Sequence, residues 1–203
     1  MARVDCLPAE WAEAARFSCR ENALVHAAAM MHSRRRRLLA GLACAPLAGL
    51  AQSLPSQARA LSLYHTHTDE RIAVTYFANG TYLPDAISEI ERLLRDFRTG
   101  EMHAIDLRLL DTMHALGERC GGSGFEVISG YRSAATNAQL QATTEGVAPN
   151  SLHLSGRAVD VRLSGFDTAR LRDAALALAR GGVGYYPQSD FLHLDTGRVR
   201  TWG

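Results

Sequence analysis

Lysine is absent from this 203-residue chain, so every one of its 22 fixed positive side chains is an arginine. Against them stand 21 Asp and Glu, which leaves a net charge of +1. That balance excludes the global basic excess of a nucleic-acid-binding protein. Cysteine is scarce: Cys6, Cys19 and Cys44 lie in the first 60 residues, and Cys120 alone follows them. A domain beginning after residue 60 can therefore form no intrachain disulfide, even in an oxidising compartment. Long apolar runs are missing too. The uncharged stretch Leu38–Leu54 is broken by Pro46 and is too short for a bilayer span. Residues 61–203 contain no repeats and no low-complexity tract.

What is present begins with an export pattern over residues 30–60. Ser33-Arg34-Arg35-Arg36-Arg37 is basic, Leu38–Leu54 is mostly Leu, Ala and Gly, and Ala58-Arg59-Ala60 puts small residues at −3 and −1 of a cleavage point. Arg35-Arg36-Arg37-Leu38-Leu39 fits a twin-arginine signal. Residues 1–29 have no place in such a signal. Met30 or Met31 is the better start, and 1–29 is expected to be an over-extended one. Residues 61–203 then make one domain, with 14 Arg against 17 Asp and Glu, long enough for a single core.

Period-two alternation predicts a hairpin from residues 61–67 and 72–77, and further strands at 125–129, 158–163, 183–186 and 191–194. Helical periodicity and stop signals predict helices from Pro84 to before Gly100, over 103–120, 133–142 and 167–180. The fold class is α+β: a small, largely antiparallel sheet with helices packed on one face.

Chemistry concentrates in Ser151-Leu152-His153-Leu154-Ser155-Gly156-Arg157-Ala158-Val159-Asp160 and in Phe191-Leu192-His193-Leu194-Asp195. Two histidines and an aspartate near strands are what a catalytic zinc site needs, since such a site takes three protein ligands and leaves the fourth position open. Asp160 shares a strand face with Ala158 and Arg162, where an unpartnered carboxylate is costly. Taken singly, each has a plain alternative: His193 as a hydrogen-bonded core residue, Asp160 as the ion-pair partner of Arg162 or Arg132. Arg132 lies where a strand ends and a helix begins, placed to hold an oxyanion or to pair with Asp160. A general base for water must come from Asp190, three residues before His193, or Asp195, two after it; spacing does not separate them, and either could instead orient a histidine. His65 and His67 have ligand-like spacing but are expected on the surface near the start of the domain. His103 and His114 are read as structural.

Ser129-Gly130-Tyr131-Arg132, Ser151-x-His153-x-x-Gly156-x-Ala158-x-Asp160 and the strand His193 together resemble the D-Ala-D-Ala carboxypeptidase and dipeptidase zinc peptidases, whose fold is shared with hedgehog signalling domains. Gly130-Tyr131-Arg132-Ser133-x-x-Thr136-Asn137, Gly181-Gly182-Val183-Gly184-Tyr185-Tyr186-Pro187 and Phe191-x-His193-x-Asp195-x-Gly197 look more closely like the murein endopeptidase K-like branch. The resemblance spans nearly all of 61–203. It implies a zinc metallopeptidase, with one Zn²⁺ per chain held by His153, Asp160 and His193, and with Arg132 as the transition-state arginine. It also implies hydrolysis of peptidoglycan peptide cross-links in the periplasm, preferentially between meso-diaminopimelate residues. A monomer is expected, and the leader's arginines make the twin-arginine machinery its expected export partner. The wider group carries a Glu three residues before the last His; this chain has the shorter Asp190 there, so Asp195 remains a candidate. The alternatives are a D,D- or L,D-carboxypeptidase acting on wall peptides and a non-catalytic, zinc-bearing wall-binding module.

Overall fold

The computed structural model describes residues 58–122, 124–143 and 148–203. The expected start at 1–29 and all but the last residues of the export segment at 30–60 lie outside the described residues. Strand β1 (Arg59–His65) reaches two residues into that segment. Arg59 sits opposite Phe77 in the sheet, with its guanidinium carbon 4.2 Å from that ring's centroid and a nitrogen 2.6 Å from Asp111.

Strands β1 and β2 (Arg71–Ala78) form the expected antiparallel hairpin. The Asn79-Gly80 turn, with φ of 50° and 81°, then leads into the short β3 (Thr81–Tyr82). Two consecutive residues at positive φ match the twist of the flanking strands, which is why Asn-Gly serves there. Next come α1 (Pro84–Leu93), α2 (Leu107–Cys120), β4 (Gly124–Ser129), α3 (Ala134–Thr143) and a 3₁₀ turn over Leu152–Ser155. The chain closes with β5 (Ala158–Leu163), α4 (Thr168–Leu178), β6 (Gly182–Tyr186), β7 (Phe191–Asp195) and β8 (Arg200–Trp202).

The eight strands make one sheet in the order β3-β2-β1-β4-β5-β7-β6-β8. Pairings β1–β4 and β6–β8 are parallel and the other five antiparallel. The architecture is α+β, as expected, but the sheet is mixed and larger than the small one anticipated. Two strands escaped the sequence reading. β3 and β8 span only two and three residues, too few for alternation to register.

Alternation gives the central strands two unlike faces. On one, the register aligns Leu63 with Phe125 and Phe125 with Leu163, then Val127 with Val161 and Leu192, and Val159 with Leu194 and Val183. These side chains, at most 4% exposed, join Leu109, Leu110, Met113 and Leu116 of α2 and Leu171 of α4 in one core. On the other face the register aligns Ser129 with Asp160, Asp160 with His193, His193 with Gly184, and Gly184 with Trp202.

Helix ends differ from expectation for local reasons. α2 begins at Leu107 rather than 103, because the Asp106 carboxylate caps it by accepting from the Arg108 N–H. α1 ends at Leu93, since the carbonyl of Leu94 is taken by the Tyr131 N–H at 2.7 Å. Phe97 then leaves the helical face and stacks on the His67 ring at 4.4 Å. His65 departs furthest from its expected surface position: it is fully buried. Among the described residues, no helix is long and apolar enough to cross a membrane.

Candidate metal centre

His153 reaches the site from the 3₁₀ turn after Ser151, whose hydroxyl accepts the His153 N–H at 3.4 Å. Gly156 ends that turn in the left-handed region with φ 63°, and a β-carbon there would sit 2.1 Å from the Ala104 carbonyl oxygen. Glycine is thus required twice over, by conformation and by space. The turn returns the chain to β5, where Asp160 stands opposite His193 of β7. All three side chains are buried: 1% exposed for His153, 7% for Asp160 and 9% for His193.

Their ligating atoms converge. Asp160 Oδ1 lies 2.9 Å from His193 Nδ1 and 3.3 Å from His153 Nε2, and the two ring nitrogens are 3.2 Å apart. Three donors on a tetrahedral zinc at 2.0–2.2 Å would be about 3.4 Å from one another, so the spacing fits. The outer ring nitrogens fix which lone pairs face inward. His153 Nδ1 donates to the Gly130 carbonyl at 2.7 Å, which leaves Nε2 as its acceptor. His193 Nε2 donates to Asp195 Oδ2 at 3.1 Å, which leaves Nδ1. Two imidazole lone pairs and a carboxylate facing one another repel unless a cation lies among them, so this donor set suits Zn²⁺. It is also the group of His, Cys, Asp and Glu side chains found arranged for a metal among the described residues.

The electrostatics agree. Burial alone would raise the Asp160 pKa, but the His153 and His193 rings outweigh it and hold the carboxyl far below its ordinary value. Burial pushes His193 down, yet its bonds to Asp160 and Asp195 prevail and lift it to about 9. Without a metal, a proton on His193 takes part of the cation's place between two carboxylates.

Arg132 comes to the same place from the end of β4. Its N–H donates to the His153 carbonyl at 3.2 Å, and its Nη2 is 3.6 Å from Asp160 Oδ2. The guanidinium is mostly buried, its Nε has no hydrogen-bond partner, and burial lowers its pKa. Arg162 does not take the Asp160 carboxylate; it pairs with Glu126 at 2.7 Å.

The matching family model, peptidoglycan L,D-endopeptidase MepK, aligns with residues 53–202. The chain belongs to this family. The MepK protein of Escherichia coli strain K12 is 37% identical over 175 residues, covering 83% of this chain and 96% of that protein. A Haemophilus influenzae protein named "Probable peptidoglycan L,D-endopeptidase MepK" is 37% identical over 164 residues, covering 80% of this chain and 88% of its own. No solved structure matches. As a member of the MepK family the chain is a peptidase.

Within this MepK-family chain the four residues His153, Asp160, His193 and Arg132 come together. The two carboxylates left open as bases separate. Asp195 lies behind His193 with a fully buried side chain that accepts from the backbone N–H of Gly182 and Gly197 and from both terminal nitrogens of Arg200. Asp190 ends the β6–β7 turn at φ 50°, its side chain 63% exposed, bonded to the Thr168 hydroxyl and 3.4 Å from Arg162 Nη1. The sequence reading missed Arg200 and Trp202. The Trp202 ring packs 5.2 Å from that of His193. The signal available was Arg-Thr-Trp two residues after Gly197-Arg198, an alternating fragment too short to stand out.

Proposed function

We propose that this chain is a zinc-dependent peptidoglycan endopeptidase, hydrolysing peptide cross-links between meso-diaminopimelate residues in the periplasm. The observation that carries this reading is the convergence of His153 Nε2, Asp160 Oδ1 and His193 Nδ1 within 3.3 Å of one another, with both ring tautomers fixed from outside. Membership of the MepK family supports the reaction class and a peptidoglycan substrate.

His153, Asp160 and His193 would hold the zinc. When bound, it supplies a Lewis acid that polarises a carbonyl and makes water a nucleophile near neutral pH. Arg132 stands beside the triad with a largely desolvated guanidinium, suited to an oxyanion developing on the scissile carbonyl. Asp190 is the proton acceptor in this reading. Its carboxylate keeps solvent access, whereas that of Asp195 is buried and already accepts five hydrogen bonds. Arg157 donates to the Thr196 carbonyl at 2.9 Å.

The hedgehog-type kinship of the fold, the twin-arginine route and the monomeric state belong to the same reading. Its support there is the Arg35-Arg36-Arg37-Leu38-Leu39 sequence and the motif resemblance. The test is digestion of purified, cross-linked muropeptide dimers with zinc-loaded protein and mass analysis of the products. Release of monomers by cutting the diaminopimelate–diaminopimelate bond is the expected result. Loss of only a terminal residue would replace the endopeptidase by a carboxypeptidase, and binding without cleavage would leave a wall-binding module.

A further inference from the structure

Asp195, Gly182 and Gly197 stand in the motifs of this chain, yet none of them is a candidate metal ligand. The structure gives them a common purpose. Asp195 Oδ2 accepts from His193 Nε2 at 3.1 Å, and the same carboxylate receives Arg200 through two nitrogens, Nη2 to Oδ2 at 2.7 Å and Nη1 to Oδ1 at 3.0 Å. The N–H groups of Gly182 and Gly197 complete its coordination at 3.1 and 2.8 Å. A β-carbon on Gly182 would lie 2.3 Å from Arg200 Nη1 and 2.5 Å from Asp195 Oδ2. Glycine at 182 is what lets the guanidinium and the carboxylate meet across β6.

The geometry assigns Arg200 as a positioning residue for the metal-binding face of His193, acting through Asp195. This inference rests on the zinc reading of the triad. An imidazole can flip about its χ2 bond, which puts a ring carbon where each nitrogen stood; the hydrogen bond to Asp195 holds Nε2 outward and aims Nδ1 at Asp160 and His153. The carboxylate could itself rotate, but a bidentate guanidinium fixes its plane, because two parallel N–H···O bonds admit one orientation. Arg200 reaches this place because β8 runs parallel to β6 with Gly182 opposite Arg200. The C-terminal strand is thereby tied to a ligand seven residues earlier in the chain. Partners of this kind that orient ligating histidines change metal affinity although they never touch the ion.

The experiment compares the full chain with Arg200→Ala and Arg200→Lys. Zinc affinity is read by competition with a chromophoric chelator, ligand geometry by the visible absorption of the Co²⁺-loaded protein, and fold by the melting temperature of the metal-free form. Arg200→Ala is expected to weaken zinc binding by roughly 10- to 100-fold and to change the Co²⁺ spectrum, with added methylguanidinium restoring both. Arg200→Lys, with a single-point cation, is expected to fall between Ala and the native chain. Native affinity and spectrum in Arg200→Ala overturn the inference. So does a loss that methylguanidinium does not recover and that accompanies a lowered metal-free melting temperature, the pattern of a purely structural arginine. If Arg200→Ala does not fold, Arg200→Lys decides: native affinity and spectrum there overturn the inference. Failure of the native chain to take up zinc is a different result and removes the zinc reading itself.

Discussion

His65 and His193 sit on strands of one sheet and are both buried, yet their surroundings shift their pKa in opposite directions. His65 ends β1, where its Nδ1 accepts from the His67 N–H at 3.2 Å, its Nε2 has no partner and Phe97 meets its ring at 5.4 Å. Desolvation dominates there and lowers its pKa to about 4. His193 suffers the same desolvation, but the carboxylates of Asp160 and Asp195 flank both of its nitrogens and raise it to about 9. Burial alone therefore does not make a histidine functional. What separates the two regions is whether the sheet register delivers acidic neighbours, as it does in aligning Asp160 with His193.

The sharpest way to break this comparison is to delete each histidine. His193→Ala, His153→Ala and Asp160→Ala should each abolish zinc uptake and muropeptide cleavage, whereas His65→Leu should retain both; metal analysis with a cleavage assay checks this, and full metal content in any of the first three variants removes that residue from the ligand set. Next in size, Arg132→Ala should keep its zinc while losing about 2–4 kcal/mol of transition-state stabilisation, read as a fall in kcat/KM. Unchanged kinetics would leave Arg132 as a structural partner of Asp160.

The third test uses acid. His65 is held neutral in the folded chain, so its contribution is fully present above its unfolded pKa of about 6.5 and is lost as pH falls towards 4. Urea unfolding of the metal-free protein should show the native chain losing up to about 3 kcal/mol over that window relative to His65→Leu. Parallel pH profiles would show that His65 is not desolvated as described. His193 predicts the opposite linkage. Because its pKa is raised to about 9, zinc must displace a proton at neutral pH, and apparent zinc affinity should climb about tenfold per pH unit below that value. A pH-independent affinity would contradict a protonated His193 in the metal-free form. The smallest effect expected is that of His67→Ala, which removes a partly exposed stack on Phe97 and should cost about 1 kcal/mol or less in a melting experiment, with zinc binding unaltered.

Much of the site was legible because its residues lie where local rules speak clearly. Gly156 between His153 and Asp160 announces a reversal, and the alternation of β5 puts Asp160 opposite Val159 and Val161. The choice between Asp190 and Asp195 was not legible, since they lie only three and two residues from His193 in sequence. Only the packing of Arg200, Gly182 and Gly197 around Asp195 distinguishes a buried positioning carboxylate from an accessible one. His65 was misjudged as surface because alternation gives faces but not depth. It lies in a central strand, between β2 and β4, and β4 pairs with β1 across some sixty residues of sequence.

By itself, the sequence determined the α+β class, the hairpin and the four helices among the described residues, and it singled out His153, Asp160 and His193 as candidate ligands, because these follow from periodicity, turn chemistry and motifs within short segments. The tertiary structure alone decided the mixed sheet, the tautomer of each histidine, the separate stations of Asp190 and Asp195 and the service of Arg200. Each of those depends on which strands lie side by side, and strand order is fixed by burial of a common apolar face rather than by any neighbouring residue in the chain.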